Sequence, residues 1–255
     1  MQTLETVTFL EELQMNQWPS LQTMLLDGWI LRFADGYSKR ANSIHPLYHS
    51  TYDLDKKIAA CEQIYERQQI APVFKISPSV YPGNLDAVLE RKGYSLVDRC
   101  SIQTMKLDDL KEPVLQSVCI HGAVTDEWLD HYCRLAQAAD HQKAVMRQMF
   151  GNIRTQAAFV SLDYEEQVVA CGIGIIERDY IGLWDIITDP NYRNRGLGEQ
   201  LLLHMLKWGK ENGATNSYLV VVANNAPAQK LYAKLGFQEQ YQHWYRVKEK
   251  TKKTY

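Results

Sequence analysis

The spacing of hydrophobic residues predicts helices and strands that follow one another along the whole chain. Helices are predicted as two short segments within residues 3–26, interrupted at Pro19, and then at residues 53–69, 85–92, 124–139, 141–150, from the turn at 193–198 to about 212, and at 228–235. Strands are predicted at residues 29–33, 40–44, 73–76, 96–107, 157–162, 167–176, 183–188 and 218–222, with a last hairpin at 239–247. This arrangement predicts an α/β fold with a mixed sheet flanked by helices.

Residues 193–198, Arg-Asn-Arg-Gly-Leu-Gly, lie where a predicted strand becomes a predicted helix. The strand is the apolar run at 183–188, and apolar residues then recur at helical spacing from Leu201 to Leu206. The first backbone N–H groups of a helix have no partner inside it, so such a turn can bind an anion. Glycine lets the backbone approach a bulky phosphate, and arginine adds charge-assisted contacts. This turn, called the cradle below, is therefore predicted to hold a pyrophosphate.

Two common phosphate motifs are absent from the sequence. It has no G-x-x-x-x-G-K-[ST] run, which excludes the phosphate-binding loop of nucleotide hydrolases, and no G-x-G-x-x-G dinucleotide fingerprint. The pattern Arg193-x-x-Gly196-x-Gly198 instead resembles the acyl-CoA loop of the GNAT N-acetyltransferase superfamily. Residues 225–237 fit N-x-x-A-x-x-L-Y-x-x-x-G-F and closely resemble the segment that closes the cofactor site in that superfamily. The two patterns come in the expected order, so residues 113–255 resemble a GNAT domain.

The resemblance implies a fold in which two parallel strands splay apart and acetyl-CoA lies between them. It implies main-chain contacts from Ile187 and Thr188 to the pantetheine arm, with Asn225 positioning the cofactor near its thioester. It also implies that Tyr232 donates a proton to the departing thiolate, although the spacing alone equally fits an ordinary core tyrosine. The pyrophosphate would be bound by the cradle residues Arg193, Asn194, Arg195, Gly196, Leu197 and Gly198.

A general base is expected as well, because an amine that attacks a thioester directly must lose a proton. Asp185 is one candidate, since it is predicted to alternate with Leu183 and Ile187 on one face of the strand. The alternative is a carboxylate that is merely satisfied by hydrogen bonds. Glu177, at the mouth of the preceding hairpin, is the second candidate. The resemblance does not choose between them, because the family has no single fixed base.

Two glycines of the predicted strand at 167–176 fall on one face, Gly172 and Gly174. A strand face without side chains allows something to approach the backbone closely. A bound ligand and a packed helix both satisfy this pattern, and the sequence leaves both open.

Lys111-Glu112-Pro113 is the predicted boundary between two sets of elements, at residues 1–112 and 113–255. The first half aligns with the second by pattern, with Leu89 in the place of Tyr232 and Pro82 in the place of Asn225. No cradle precedes its helix at 53–69. The chain therefore resembles tandem GNAT proteins, with a degenerate, non-catalytic first copy and a catalytic second copy.

Residues 27–43 resemble the N-terminal segment of bacterial tandem GNAT proteins, through Asp-Gly-Trp-x-x-Arg-Phe-x-x-Gly followed by Lys-Arg-Ala-Asn-Ser. Arg40, Asn42 and Ser43 form a polar cluster inside a predicted strand. They either face the acceptor substrate or satisfy a bend in the backbone.

Composition and charge argue against several kinds of partner and location. The net charge of −2, with both signs mixed along 255 residues, gives no reason to expect a nucleic-acid or membrane partner. The chain has no apolar run long enough for a bilayer span and no signal-peptide pattern. Five scattered cysteines without a C-x-x-C indicate a reduced, cytoplasmic protein. His45 and His49 are separated by Pro46, which argues against a helical metal site, so no metal is expected.

These observations predict an enzyme that uses acetyl-CoA to acetylate a primary amine of a small-molecule or amino-acid-like acceptor. Two alternatives stay open, a protein or peptide N-acetyltransferase and a non-catalytic acyl-CoA-binding regulator. A monomer or a homodimer is expected.

Overall fold

The computed structural model describes residues 3–248. In chain order its helices are α1 (Leu4–Gln17), α2 (Leu54–Arg67), α3 (Leu85–Arg91), α4 (Asp126–Ala136), α5 (Asp140–Gly151), α6 (Leu197–Glu211) and α7 (Ala226–Leu235). Its strands are β1 (Gln22–Leu26), β2 (Trp29–Phe33), β3 (Ile44–Pro46), β4 (Val73–Ile76), β5 (Ser95–Lys106), β6 (Val118–His121), β7 (Gln156–Tyr164), β8 (Gln167–Glu177), β9 (Tyr180–Thr188), β10 (Asn216–Val222) and β11 (Gln238–Val247).

Within residues 3–248 all strands join one mixed sheet in the order β1-β2-β3-β4-β11-β5-β10-β9-β8-β7-β6. Most neighbours are antiparallel, and β9 and β10 are parallel. Together with the flanking helices this confirms the predicted mixed α/β class. The order also shows that β11 lies between β4 and β5, while β5 lies between β11 and β10. Strands from the two sides of residue 113 therefore alternate in the middle of the sheet, and the division into residues 1–112 and 113–255 stays a prediction.

Three predicted elements are wrong. The second helix within residues 3–26 is the strand β1, because leucines four residues apart fit a strand as well as a helix. The predicted strand at 40–44 begins only at Ile44, since residues 39–43 form turns and bends. The predicted hairpin at 239–247 is the single strand β11, whose partners β4 and β5 are distant in sequence. Local spacing does not reveal such partners, and it also missed the short edge strand β6.

The local signals that were specific are confirmed. Asp53 caps α2, and its side chain accepts a hydrogen bond from the Lys56 backbone N–H at 3.0 Å. Gly93 and Gly236 follow α3 and α7 with φ of 82° and 103°, which is the left-handed conformation that glycine adopts readily. Capping residues act within one helical turn, so the sequence alone locates these helix ends.

Two hydrophobic layers cover the β7–β10 part of the sheet. Helices α1, α4 and α5 pack in one layer, and α6 and α7 pack in the other. Gly172 and Gly174 face α6: a Cβ on Gly172 would lie 2.9 Å from Met205 Sδ, and one on Gly174 would lie 3.8 Å from Trp208 Cε3. The bare strand face therefore admits a packed helix rather than a ligand. A third cluster packs α2 and α3 on strands β2 to β4.

A buried ion pair fixes α1 against the centre of the sheet. Lys75 Nζ of β4 lies 2.6 Å from Glu11 Oε2, and the two side chains are 4% and 0% exposed. Lys75 also donates to Gln14 Oε1 at 3.0 Å, and the Tyr241 hydroxyl of β11 donates to Glu11 Oε1 at 2.9 Å. Buried charges are tolerated when they are paired and hydrogen-bonded in this way.

Replacing Lys75 by Met should therefore destabilise the protein by about 3–5 kcal/mol, because Glu11 would stay buried without its counter-charge. The matched control is Lys39→Met, which removes an ion pair with Asp98 whose side chains are 43% and 45% exposed. We expect about 0–1 kcal/mol for that exposed pair. Urea unfolding of both variants measures the difference, and equal losses of unfolding free energy would contradict the role given to Lys75.

Candidate active site

The two parallel strands β9 and β10 part in the middle of the sheet. Residues 216–219 of β10 pair with residues 180–183 of β9, and no pair follows these. Beyond that point β10 continues on β5 as far as Val222, and β9 continues on β8 as far as Thr188. The facing edges of the two strands thus carry backbone N–H and C=O groups without a ladder partner. An extended chain with amide groups fits such an opening, because it offers the missing hydrogen bonds.

A β-bulge in β9 accompanies the opening. Cys171 pairs with Ile187 but Ile173 pairs with Trp184, so two residues of β9 stand opposite Gly172. Asp185 lies in the bulge with φ of +47°. Ile186 points towards α6, as its contact with Gly172 shows. Trp184 packs in the α1 and α4 layer, and Asp185 neighbours Tyr132 of α4.

The prediction that Asp185 shares one face of the strand with Leu183 and Ile187 is therefore wrong for Leu183. Leu183 belongs to the α6 layer, whereas Ile187 packs against the α1 and α4 layer. The bulge interrupts the alternation of side chains between the two faces of the sheet after Trp184. Asp185 therefore lies on the face that α1 and α4 cover. A strict period of two residues holds only while a strand is regular.

The Asp185 carboxyl is held in an environment that favours its neutral form. Burial raises its pKa to about 6, while the charge of Arg40 and the Tyr132 hydroxyl oppose that shift. Its Oδ2 atom is buried and has no hydrogen-bond partner within residues 3–248. A carboxylate with a free oxygen and a pKa just below neutrality is suited to accept a proton.

Glu177 lies elsewhere. It ends β8 opposite Tyr180, where β9 and β10 are still paired, and its Oε1 accepts a hydrogen bond from Asn16 Nδ2 at 2.8 Å. At about 3.3 Å per residue, the five residues from Tyr180 to Asp185 span roughly 16 Å. The structure therefore does not bring Glu177 and Asp185 together.

The cradle follows β9 through a short 3-10 turn at Pro190–Tyr192. Asn194 and Gly196 have φ of 62° and 79°, and the backbone N–H groups of residues 194–196 donate no hydrogen bond of normal geometry within residues 3–248. The loop is exposed up to Leu197, which begins α6. Free N–H groups at a helix N-terminus form an anion site, so the cradle fits a pyrophosphate.

Two residues of the cradle contact neighbouring parts of the structure. Arg195 stacks on the Tyr192 ring at 4.9 Å and lies 3.7 Å from Glu165 Oε1, in an ion pair that is about half exposed. Gly198 sits close to the end of β9, because a Cβ there would lie 3.2 Å from Thr188 Oγ1. The cradle and the predicted pantetheine strand are thus in direct contact.

Helix α7 presents Tyr232 on its buried side, with 8% of the residue exposed. Burial raises the pKa of Tyr232 to about 12, and the positive charge of Arg40 acts in the opposite direction. Asn225 caps the same helix, since its Oδ1 accepts a hydrogen bond from the Ala228 backbone N–H at 3.3 Å. A cofactor contact by Asn225 would therefore use its amide nitrogen.

Sequence reasoning missed Tyr132 altogether. It lies in α4, about 50 residues before Asp185 in sequence, and its spacing within α4 is that of a core residue. Arg40 belongs to the polar cluster for which the sequence leaves two roles open, and its charge acts on Asp185 and Tyr232. No local pattern links these positions, because the contacts depend on which strands adjoin in the sheet.

A separate cavity of about 430 Å³ lies beside β6, β7 and α4. It is lined by residues that include Cys119 and His121, whose Sγ and Nε2 atoms are 3.2 Å apart, but by none from β9 or β10. Residues 3–248 hold no cluster of three or more His, Cys, Asp or Glu side chains able to bind a metal ion. The same part of the chain holds no helix with the length and apolar character needed to cross a membrane.

Comparison with known proteins gives matches along most of the chain. The family described as "Probable histone acetyltransferase Rv0428c C-terminal" matches residues 6–247. The "Uncharacterized N-acetyltransferase YobR" of Bacillus subtilis is 25% identical over 256 residues, covering 96% of this chain and all of the relative. A ribosomal protein bS18-alanine N-acetyltransferase of Salmonella typhimurium is 34% identical over 90 residues, which cover 35% of this chain and 61% of that protein.

Solved structures show the same fold. A GCN5-related N-acetyltransferase from Kribbella flavida superposes with a TM-score of 0.73 at 14% identity, with 96% of each chain covered. A tandem GNAT protein from the clavulanic acid biosynthesis pathway gives a TM-score of 0.59 at 15% identity, covering 77% of this chain and 70% of that one.

The cradle can be tested by direct binding. Gly196→Asp should reduce CoA affinity at least about 100-fold, because the new carboxylate repels the pyrophosphate and its bulk narrows the approach. Gly213→Asp is the matched control: Gly213 also has a left-handed φ, +96° against +79° at Gly196, and neither position has an atom within 4 Å of an added Cβ. Both variants should lose a similar amount of folding free energy through backbone strain. The difference in CoA affinity between them, measured by calorimetric titration, therefore reports on the cradle. Equal CoA affinity in the two variants would show that this loop does not bind the pyrophosphate.

Proposed function

Because this chain belongs to the GNAT N-acetyltransferase family, we propose that it transfers an acetyl group from acetyl-CoA directly to a primary amine of a small, amino-acid-like acceptor. The observation that carries the proposal is the opening between β9 and β10. It has the cradle at one end and the Asp185 bulge in one wall, and Tyr232 of α7 packs in the hydrophobic cluster that also holds Val221 of β10. The family supplies the reaction type, and the arrangement of these residues supports their roles in it.

Acetyl-CoA supplies an activated thioester carbonyl when it is bound. In our proposal the cradle N–H groups of residues 193–198 hold the pyrophosphate. The free backbone edge of β9 at Ile187 and Thr188 hydrogen-bonds the pantetheine arm, and the Asn225 amide orients the thioester end. A strand N–H at the opening stabilises the oxyanion that develops on the carbonyl, because fixed dipoles need no reorganisation during the reaction.

We assign the general base to Asp185 rather than to Glu177. A primary ammonium must lose one proton before its nitrogen lone pair can form the new C–N bond. Both carboxyls have one buried oxygen without a hydrogen-bond partner within residues 3–248, but Asp185 lies in the wall of the opening, whereas Glu177 lies where the strands are still paired. With a pKa of about 6 the Asp185 carboxyl is mostly ionised at neutral pH and ready to accept that proton.

Tyr232 is the proposed proton donor to the departing thiolate. A thiol has a pKa near 8.5, so a phenol with a pKa of about 12 transfers a proton only as negative charge builds up on sulfur. A hydrogen bond that strengthens in the transition state gives the same assistance. The Tyr232 hydroxyl has no hydrogen-bond partner within residues 3–248, so it is available for this purpose.

For the first half we propose a structural and acceptor-binding role rather than catalysis. Leu89 of α3, which aligns with Tyr232, is a fully buried core residue and carries no acid. We therefore propose one acetyl-CoA per chain, bound by residues 113–255, and no metal in the reaction. We also propose that the protein acts in a reducing, cytoplasmic environment, which its five cysteines, all free thiols, support.

A protein acceptor is the second candidate function. It is favoured by the partial similarity to a ribosomal protein bS18-alanine N-acetyltransferase and by the name of the matched family. A protein N-terminus and a free amino acid share the α-amine and differ in the adjacent carboxylate. Acceptors with and without that carboxylate therefore separate the two candidates.

The base can be tested by pH dependence. Ionisation of Asp185 should give an acidic limb in which kcat/KM rises with pH through about 6, because only the carboxylate accepts a proton. Asp185→Asn should remove this limb and lower the rate roughly 100-fold or more. Glu177→Gln, measured in parallel, should keep the limb. If instead Glu177→Gln loses it and Asp185→Asn keeps it, the base is Glu177.

The acid can be tested by removing one oxygen atom. Tyr232→Phe should lower kcat roughly 100-fold while the affinity for acetyl-CoA stays within a few-fold, because the ring that packs against Phe237 is kept. Tyr94→Phe, a change at a 2% exposed tyrosine of the first half, is the control and should retain turnover. Unchanged kcat in Tyr232→Phe would exclude Tyr232 as the proton donor.

A further inference from the structure

The loop between β2 and β3, residues 34–43, is held rigidly although it has no regular structure. Asn42 Oδ1 accepts hydrogen bonds from the backbone N–H groups of Ala34 and Gly36 at 2.7 and 3.0 Å. Its Nδ2 donates to the Ala34 and Ser38 carbonyls at 3.2 and 2.9 Å. Of the two possibilities for this polar cluster, Asn42 thus satisfies the bend in the backbone.

Arg32 also holds this loop in place, through hydrogen bonds to backbone carbonyls. Its Nη1 donates to the Arg40 carbonyl at 2.7 Å, and its Nη2 donates to the Met15 carbonyl at 3.1 Å and to the Trp18 carbonyl. Arg32 is 3% exposed, so these bonds lie in the interior. They tie the backbone of the loop at Arg40 to the end of α1.

The Arg40 guanidinium lies over two tryptophan rings, one of them on β9, the strand that lines the opening. It lies 5.5 Å from the Trp18 ring centroid and 5.6 Å from that of Trp184, the residue immediately before Asp185. Its charge also acts on Asp185 and Tyr232, the proposed base and acid. A residue of the first half thus lies beside Trp184, close enough for its charge to act on the proposed base and acid.

This guanidinium has no anionic partner of its own. Among residues 3–248 it makes no salt bridge within 4.0 Å and no side-chain hydrogen bond. It lies over the Trp18 and Trp184 rings. A guanidinium carries five N–H donors in a planar fork that matches a carboxylate, and within residues 3–248 this fork has no carboxylate in contact. Asp185, with its free Oδ2, is near but not in contact.

We propose that Arg40 binds the carboxylate of the acceptor and that the acceptor is a free amino acid, whose ammonium group faces Asp185. This rests on the proposed acetyltransferase function and adds to it the class of acceptor and the residue that selects it. A zwitterion fits between two opposite charges that do not touch each other, because each of its ends meets the complementary group. A protein N-terminus has an amide in the place of this carboxylate and leaves Arg40 unpaired.

The same proposal gives the first half a role in binding the acceptor. It carries no cradle, yet its loop 34–43 forms part of the wall on the acceptor side. Arg40 is thereby a specificity-determining residue that acts on the acceptor and not on acetyl-CoA.

The test compares free amino acids with their α-amides and with the corresponding amines that lack a carboxylate, by CoA release and mass spectrometry of the products. The wild-type protein should prefer amino acids over the amides by roughly 10- to 100-fold in kcat/KM, as expected for a charge-assisted hydrogen-bonded pair. Arg40→Gln should reduce this ratio to near one, mainly through KM, and Arg40→Lys should restore part of it. Lys39→Gln, the neighbouring exposed cation, should leave the ratio unchanged.

A binding measurement without turnover supports the kinetics. An N-acetyl amino acid keeps the carboxylate and lacks the basic amine, so it should bind the wild-type protein more tightly than its amide does. Arg40→Gln should abolish that difference in calorimetric titration. If the wild-type protein acetylates amides or peptides as well as free amino acids, the role of Arg40 is refuted while the acetyltransferase function stands. If it acetylates no amine of the panel or of a peptide library, the proposed function itself fails.

Discussion

The parting of β9 from β10 is the constraint on which the rest of the site depends. Two parallel strands that pair for four residues and then separate leave two edges of unpaired backbone groups inside a sheet. The bulge at Asp185 lies at this point and turns β9 away from its neighbour. It also carries a carboxylate to the face covered by α1 and α4, so the backbone irregularity and the chemical group arise from the same two residues.

The interleaving of β5 and β11 then decides which other residues reach that opening. Because β11 lies between β4 and β5, strands from both sides of residue 113 form one sheet, and α1 packs across its centre on the buried pair Lys75 and Glu11. The loop 34–43 ends near β9 for this reason. Two domains joined only by a linker would give Arg40 no fixed position relative to Asp185.

Burial acts on the proposed base and acid in the same way and with opposite consequences. It raises the pKa of Asp185 to about 6, which makes the carboxylate a stronger base, and that of Tyr232 to about 12, which makes the phenol a weaker acid. Arg40 opposes both shifts. An acceptor carboxylate bound to Arg40 would neutralise that charge, so acceptor binding and the strength of the base are coupled electrostatically.

The sequence by itself determined what is encoded locally: most helices and strands, the Asp53 cap, the glycine turn of the cradle and the Asn225 to Phe237 segment. These depend on residues within a few positions of one another. It did not determine β1, β6 or the single strand β11, nor the side on which Asp185 lies, because a bulge changes side-chain parity without a mark in the hydrophobic pattern. Only the tertiary structure decided that Tyr132 adjoins Asp185 and that the charge of Arg40 acts on it, since strand order in a sheet, not distance along the chain, brings them together.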